Sequence, residues 1–412
     1  MSERGKRPPA QIAYVLNEFP SVSETFILRE MQGLREKHEL RLAPVALRRG
    51  EHPEAYAEAA DLVADAIYRP TKRWGMWLLP AVVALRWPGG YLSTLGIVMR
   101  QVFRHPAQAR ELGAALLSAG YFALRLPRSL RHVHATWASQ PATVGLLLAE
   151  IRGTGFSFST HARDLFTDEA HFMDLKLPEA EFVTVCSAYG RDALLRRHPL
   201  ASAGKLFLVY HGVDVARYQP LVHPRRPVPT ILSVGRLVEK KGFPILLRAA
   251  GILRSRGAEF KLVIIGEGPE RADLQSLATG LGLVDSVEFR GAQTAEQVRE
   301  AYAEADLFAL ACVVASDQDR DGLPNVLLEA LACGVPTVAT RSSAITELIE
   351  PEETGLLAKP GDAQDLADQM ERLLYDDELR AVVSRLGRER VAQHFRLERS
   401  VAHMAELLGG VL

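Results

Sequence analysis

The sequence predicts an α/β protein of two domains, each a parallel sheet covered by helices on both faces, and three observations carry that expectation. Its 412 residues exceed what one hydrophobic core supports and suit two domains of roughly 200 residues. Short β-rich runs alternate with helical stretches from end to end, the pattern of βαβ units, whose strands pair in parallel. The alternation pauses at residues 219–229, where four prolines fall in eleven residues, and then restarts. A first domain is therefore expected over 1–217, a second over 218–392, and a closing helix within 393–412.

In the first domain, strand patterns run over 11–16, 39–47, 132–137, 156–160, 182–187 and 206–210. A helix is expected from about Ser21, where Ser21 and Glu24 have the spacing of a capping box and Ile27, Met31 and Leu34 share one face. In the second domain the strand patterns are 230–234, 260–265, 287–289, 307–312, 337–339 and 355–358. Ligands of such sheets sit at the strand carboxyl ends, here expected to face a cleft between the domains. The amphipathic closing helix, about 397–408, is expected to pack back onto the first domain.

Composition narrows the classes. Hydrophobic content of 48%, charged content of 24% and a net charge of −1 describe an ordinary globular protein with no pull toward nucleic acid. Cys186, Cys312 and Cys333 lie in or beside apolar runs without metal-ligand or disulfide spacing, which suits a reducing compartment. The polar start Met1 to Pro9 reads as no signal peptide, and no apolar run approaches the roughly 20 residues of a membrane span. A cytoplasmic location follows, at the inner face of the plasma membrane if the next feature acts as a membrane contact. Residues 69–131 hold ten basic residues against one acidic residue, Glu111, with Trp74, Trp77 and Trp87 among them. Basic residues interleaved with aromatics suit an anionic membrane surface. The plainer alternative is a set of ordinary helices whose arginines pair with acids elsewhere and whose tryptophans are core.

Four motifs carry chemistry. Asp321-Gly322-Leu323-Pro324-Asn325-Val-Leu-Leu-Glu329 reads as a loop entering a short helix, with Pro324 in its first turn and Gly334 in the left-handed position past its end. The positive end of that helix suits a phosphate or the polar edge of a ligand. Gly235-Arg236…Lys241-Gly242 follows a strand and precedes a helix, so a planar fork and a point charge stand where a diphosphate needs them. Gly266-Glu-Gly268 closes the next strand and imitates a dinucleotide fingerprint, but Arg271 takes the place of the third glycine; close backbone approach to a ligand is all it implies. Asp317, Asp319 and Asp321 open like a calcium loop, yet the twelfth position is Leu328, which favours shaping of the ligand loop over metal binding. In the first domain His161 ends a strand pattern and is a candidate to bond a sugar hydroxyl or orient an acceptor. His134 and His211 also end strand patterns; satisfied histidines are the plainer reading there. The sequence holds no Ser-His-Asp set, no His-Glu-x-x-His and no cysteine nucleophile context, so hydrolase and zinc-enzyme readings lack a starting residue.

Together these segments resemble the retaining nucleotide-sugar glycosyltransferases of family 4, whose GT-B fold sets two Rossmann-like domains across a cleft. The resemblance covers about 230–360 through the Gly-Arg-Leu…Lys-Gly, Gly-Glu-Gly-Pro and acid-x(7)-acid motifs, the last followed by Ala-Leu-Ala-Cys-Gly-Val-Pro. In the first domain, Phe19-Pro-Ser-Val-Ser23-Glu24-Thr-Phe26 and Phe158-Ser-Thr-His161-Ala-Arg163-Asp164 look like bacterial exopolysaccharide, colanic-acid-type members. The resemblance implies that Asp321, where the family has glutamate, holds donor-sugar hydroxyls together with the backbone of Gly322 to Asn325. It implies Glu329 on the ribose and Arg236 and Lys241 on the diphosphate beside Gly235, Gly266 and Gly268. His161, Arg236, Lys241 and Asp321 are the catalytic candidates, and Ser23, Glu24, His134, Arg163 and Asp164 those for the acceptor side. It further implies a UDP- or GDP-linked sugar donor, a glycan or lipid-linked acceptor, no cofactor and no metal, and front-face displacement assisted by the leaving phosphate. A nucleotide-sugar epimerase of the same fold and a silent sugar-nucleotide-binding scaffold at the membrane are the alternatives.

Overall fold

The computed structural model describes residues 11–21, 24–50, 60–70, 78–167, 169, 171–199, 203–220 and 226–412. The chain forms two compact units: the first holds Met1–Cys186, Gly190–Val209 and Ser400–Leu412, the second Ser187–Tyr189 and Tyr210–Arg399. The main boundary thus falls between Val209 and Tyr210, ahead of the proline-rich stretch, of which residues 221–225 lie outside the described residues. The end of the closing helix, Leu397–Gly409, belongs to the first unit, where Gly33 leaves room for Val401: a Cβ on Gly33 would stand 2.9 Å from its methyls.

The first unit is built on β1 (Ile12–Phe19), β2 (Leu42–Arg49), β3 (Ile67–Tyr68), β4 (His132–Ala135), β5 (Gly155–Thr160), β6 (Phe182–Val185) and β7 (Leu206–Leu208). They form one parallel sheet in the order β3-β2-β1-β4-β5-β6-β7. β3, two residues long, leaves too short a pattern to read from sequence. The first helix spans Thr25–Lys37 and buries Ile27, Met31 and Leu34. Its N-cap is Glu24, whose N–H bonds the Ser21 carbonyl at 3.2 Å, so a turn precedes the helix.

The second unit has β8 (Thr230–Val234), β9 (Lys261–Ile265), β10 (Val287–Gly291), β11 (Leu307–Leu310), β12 (Thr337–Thr340) and β13 (Leu356–Ala358). These also pair in parallel, in the order β10-β9-β8-β11-β12-β13. Alternate residues serve two cores, as period-2 side chains must in a sheet covered on both faces. Leu232, Val263, Ile265, Phe308 and Leu310 enter one core; Ile231, Leu262, Ile264, Leu307 and Ala309 enter the other. Both sheets reverse strand order once, at β1/β4 and at β8/β11. Such reversals open a crevice at the strand carboxyl ends, where ligands of open α/β sheets bind.

One face of the first sheet carries a buried polar ladder. The His132 Nε2 lies 2.7 Å from the Ser157 hydroxyl, and His134 uses both ring nitrogens, on Ser157 at 2.8 Å and Ser159 at 3.0 Å. Burial pushes the His132 imidazole down to about 4, and burial together with His132 holds His134 well below the usual histidine range. Both rings are therefore neutral in the fold, while an unfolded histidine takes its proton near 6.5. Below that pH the unfolded chain binds protons the native state refuses, so this contribution to stability is lost as pH falls from about 6.5 toward 4. His134→Ala is expected to cost the first unit about 2–4 kcal/mol at pH 8, through a cavity and the loss of two buried hydrogen bonds. The deficit narrows toward pH 4, as denaturation of both proteins across that range would measure.

Candidate active site

The second unit gathers its functional residues at the carboxyl ends of β8, β9 and β11, beside the reversal. After β8, Gly235 lets the Lys241 side chain cross it: a Cβ there would stand 3.4 Å from Lys241 Cδ and Cε. After β9, Gly266 takes φ +146° and a Cβ on it would fall 1.8 Å from the Gly235 carbonyl oxygen; one on Gly268 would fall 2.3 Å from that of Leu237. These two glycines thus admit the neighbouring β8 loop rather than only a ligand. Gly242, at φ +66°, closes a turn of 3-10 helix (Glu239–Lys241) and approaches Ala311 so tightly that a Cβ would reach its carbonyl oxygen at 1.9 Å.

Three consecutive residues of that turn brace the loop that follows β11. Glu239 accepts from the Ser316 N–H at 2.9 Å and hydroxyl at 2.8 Å, Lys240 Nζ lies 3.0 Å from Asp319, and Lys241 Nζ lies 2.7 Å from Asp321. Lys240 also reaches Asp321 at 3.6 Å, and the Val313 N–H donates to the Lys240 carbonyl at 2.9 Å. The acids that imitate a calcium loop are thereby matched to lysines, and Asp319 with Lys240 is buried. Burial alone would raise the Asp321 carboxyl, but the Lys241 and Lys240 ammoniums outweigh it and hold it below the usual range. Burial works against the Lys241 ammonium too; the Asp321 carboxylate overcomes it and raises its pKa. The Cys312 thiol donates to Asp321 at 3.3 Å. Burial, reinforced by Asp321, keeps that thiol protonated. Arg236 is exposed and makes no ion pair among the described residues.

Gly322, Leu323 and Pro324 are buried and lead into the helix Asn325–Ala332, ended by Gly334 at φ +73°. Pro324, expected inside the first turn, is instead the N-cap at φ −63° and ψ 119°; its fixed φ suits either place, and the extended ψ marks the residue before the helix. Glu329 accepts from the Tyr218 hydroxyl at 3.0 Å and the Tyr302 hydroxyl at 3.2 Å. Tyr218, Tyr302, Lys240, Cys312 and Glu239 are the residues that sequence reasoning missed as parts of this site, while Asp319 does shape the ligand loop. The only sequence signal was the doubling Lys240-Lys241 facing alternate acids at 319 and 321.

In the first unit His161 stands at the end of β5. Its Nε2 donates to the Thr136 carbonyl at 2.9 Å, which fixes the tautomer and leaves Nδ1 as an acceptor. The rings of Trp137 and Phe26 flank it with centroids at 4.5 and 5.0 Å. Asp164, expected to meet an acceptor, is buried and holds this turn: it accepts from the N–H groups of Ala138 and His161, each at 2.8 Å. Lys176, also buried, donates to the Ala138 carbonyl at 2.5 Å. Burial moves both, Asp164 up to about 6 and Lys176 down to about 7. His134 is likewise a core residue of β4, with no exposed surface and both nitrogens bonded, because the strand runs past it to Ala135. Arg163 is exposed and bonds Glu169 at 2.8 Å, and Glu24 caps a helix. Ser23 lies outside the described residues.

With this geometry established, known proteins give it a context. Residues 223–390 match the family model described as glycosyl transferases group 1. The chain is 39% identical over 338 residues to N-acetyl-alpha-D-glucosaminyl L-malate synthase of Bacillus anthracis, covering 79% of this chain and 85% of that protein. It is 37% identical over 201 residues to the putative colanic acid biosynthesis glycosyltransferase WcaL of Escherichia coli K12, covering 48% of this chain and 49% of WcaL. The chain thus spans about half the length of WcaL and 54% of the amylovoran biosynthesis glycosyltransferase AmsK of Erwinia amylovora. Among solved structures, Anabaena HepE in complex with UDP superposes with a TM-score of 0.72 over 97% of this chain and all of that one, at 17% identity. That likeness identifies the fold as GT-B.

The brace predicts an asymmetric mutational response. Lys240→Met strands a buried carboxylate at Asp319 and is expected to cost about 3–5 kcal/mol, whereas K240M combined with D319L costs much less, since both charges leave together. Chemical denaturation of the two single variants and the double variant checks this through the coupling energy.

Proposed function

The chain belongs to the group 1 glycosyl transferases, and we propose that it moves a sugar from a nucleoside diphosphate to a saccharide, lipid-linked or small-molecule acceptor with retention of anomeric configuration. The observation that carries this reading is the Lys241–Asp321 pair at 2.7 Å, set at adjacent strand ends beside an exposed, unpaired Arg236 and the N-terminus of the helix Asn325–Ala332. A departing diphosphate gains negative charge on its bridging oxygen, and preorganised cations with oriented N–H groups stabilise that charge without reorganising. In this reading Arg236 and Lys241 take the diphosphate, Asp321 exchanges its lysine partner for donor-sugar hydroxyls, and Glu329, oriented by two tyrosines, takes the ribose. No divalent metal is needed in this scheme, because Asp319 and Asp321 are already matched by lysines.

The bond from the anomeric carbon to the diphosphate breaks while the acceptor oxygen bonds that carbon from the same face. The acceptor proton passes to the leaving phosphate, so no carboxylate nucleophile is required. His161, with Nδ1 as acceptor, is assigned to orient the acceptor hydroxyl. The relatives named for colanic acid and amylovoran biosynthesis support a role in exopolysaccharide synthesis. HepE, which binds UDP, supports a uridine-linked donor, with a guanosine-linked one as the other choice.

A thermal-shift panel of UDP-, GDP- and ADP-sugars is expected to raise the midpoint with one of the first two, by mass action on the native state. With that donor, Arg236→Ala should lower kcat/KM by about a hundredfold or more while folding normally, and Lys241→Ala should lower it as far while also losing stability, because it strands the sheltered Asp321 carboxylate. Full rates in both variants, or an inverted product anomer by NMR, would remove the reading.

A further inference from the structure

Two consecutive helices of the first unit, Leu79–Arg86 and Pro88–Arg104, expose an apolar stripe that the transfer reaction does not use. On the second of them Leu92, Leu95, Met99 and Phe103 are exposed, at spacings of three and four that put them on one face. Thr94, Val98 and Gln101 are buried on the opposite face, where Gly90 packs so closely on the helix Gln140–Arg152 that a Cβ would stand 2.5 Å from the Ile151 carbonyl oxygen. The helix is therefore fixed to the unit by one side and presents leucine, methionine and phenylalanine on the other. Leu85, at 86% exposure, and Leu78 continue the stripe from the first helix; Phe103 is 81% exposed. Apolar patches of this kind mark a surface that something covers.

The charges say what covers it. Residues 70–110 include six basic residues and no acidic one, and Arg86, Arg100 and Arg104 are exposed. None of the three makes an ion pair among the described residues. A second copy docked through the same face would bring this arginine rim against itself, since two-fold contacts are self-complementary. An anionic bilayer offers hydrocarbon to the stripe and phosphate to the rim. No helix among the described residues is long and apolar enough to cross a membrane, so the contact lies in the interface plane. Trp87, expected from sequence to join this surface, is partly buried between the guanidiniums of Arg86 and Arg152, at 5.0 and 5.1 Å from its ring, while Trp74 and Trp77 lie outside the described residues.

We infer that this helix pair is an in-plane docking surface for an anionic lipid bilayer, with Leu85, Leu92, Met99 and Phe103 entering the acyl boundary and Arg86, Arg100 and Arg104 on the phosphates. The inference is independent of the donor and of the reaction. Co-sedimentation of the whole chain with phosphatidylcholine vesicles, with and without phosphatidylglycerol, tests it. Binding is expected to need phosphatidylglycerol, to weaken at about 0.5 M salt, and to fall by roughly tenfold or more in R100Q/R104Q and in L85S/F103S, whose exposed positions leave folding intact by circular dichroism. Equal binding to both vesicles, or binding unchanged in both variants, overturns it. So does a salt-resistant dimer of the wild type that L85S/F103S dissolves, which would make a second copy the occupant.

Discussion

The site in the second unit depends on one constraint: the short turn after β8 and the long loop after β11 are held as a single body. Glu239, Lys240 and Lys241 each take a partner on the opposite loop, Ser316, Asp319 and Asp321 in turn. β8 and β11 are adjacent strands at the order reversal, so their carboxyl-end loops cannot avoid each other. Matched charge makes that proximity favourable, and the close approach of Gly242 to Ala311 leaves no slack at the base. An exposed ion pair contributes little, but these are sheltered, with side-chain exposures of 8% for both Lys240 and Asp319 and 11% and 14% for Lys241 and Asp321.

The same arrangement explains how acids can stand in an anion site. A cluster of cations built for a diphosphate would repel itself when empty. Asp319 and Asp321 neutralise it from within, and in the proposed reading Lys240 stays as the counter-charge to Asp319 when the diphosphate takes Lys241. Placing the two lysines side by side on a 3-10 turn sends one to Asp319 and the other to Asp321.

The architecture was legible because period-2 burial on both faces and the βα alternation are written in consecutive residues. The glycine past the short helix was legible too: Gly334 does take the left-handed conformation, at φ +73°. What failed were inferences that needed to know which partner a group meets. His134 looked like a strand-end histidine because the sequence does not show that Ser157 and Ser159 occupy the next strand at its level. Asp164 looked like an acceptor contact because its true partners are backbone N–H groups, which every residue offers. Spacing restricts partners along the chain; the sheet chooses them across it.

That distinction bears on the aspartate at 321. An aspartate reaches about 1.5 Å less than a glutamate, one carbon–carbon bond. If the loop were free, the difference would be absorbed by a small drift toward β8. Ser316 and Asp319 are pinned by Glu239 and Lys240, however, so the Cα of residue 321 is placed by the brace and not by its own side chain. From that position the short arm still reaches Lys241 at 2.7 Å. The carboxylate is held there by Lys241, with the Cys312 thiol donating to it at 3.3 Å. In the proposed reading this carboxylate meets the donor sugar, so the point at which it does so depends on the brace and on the length of the acid together.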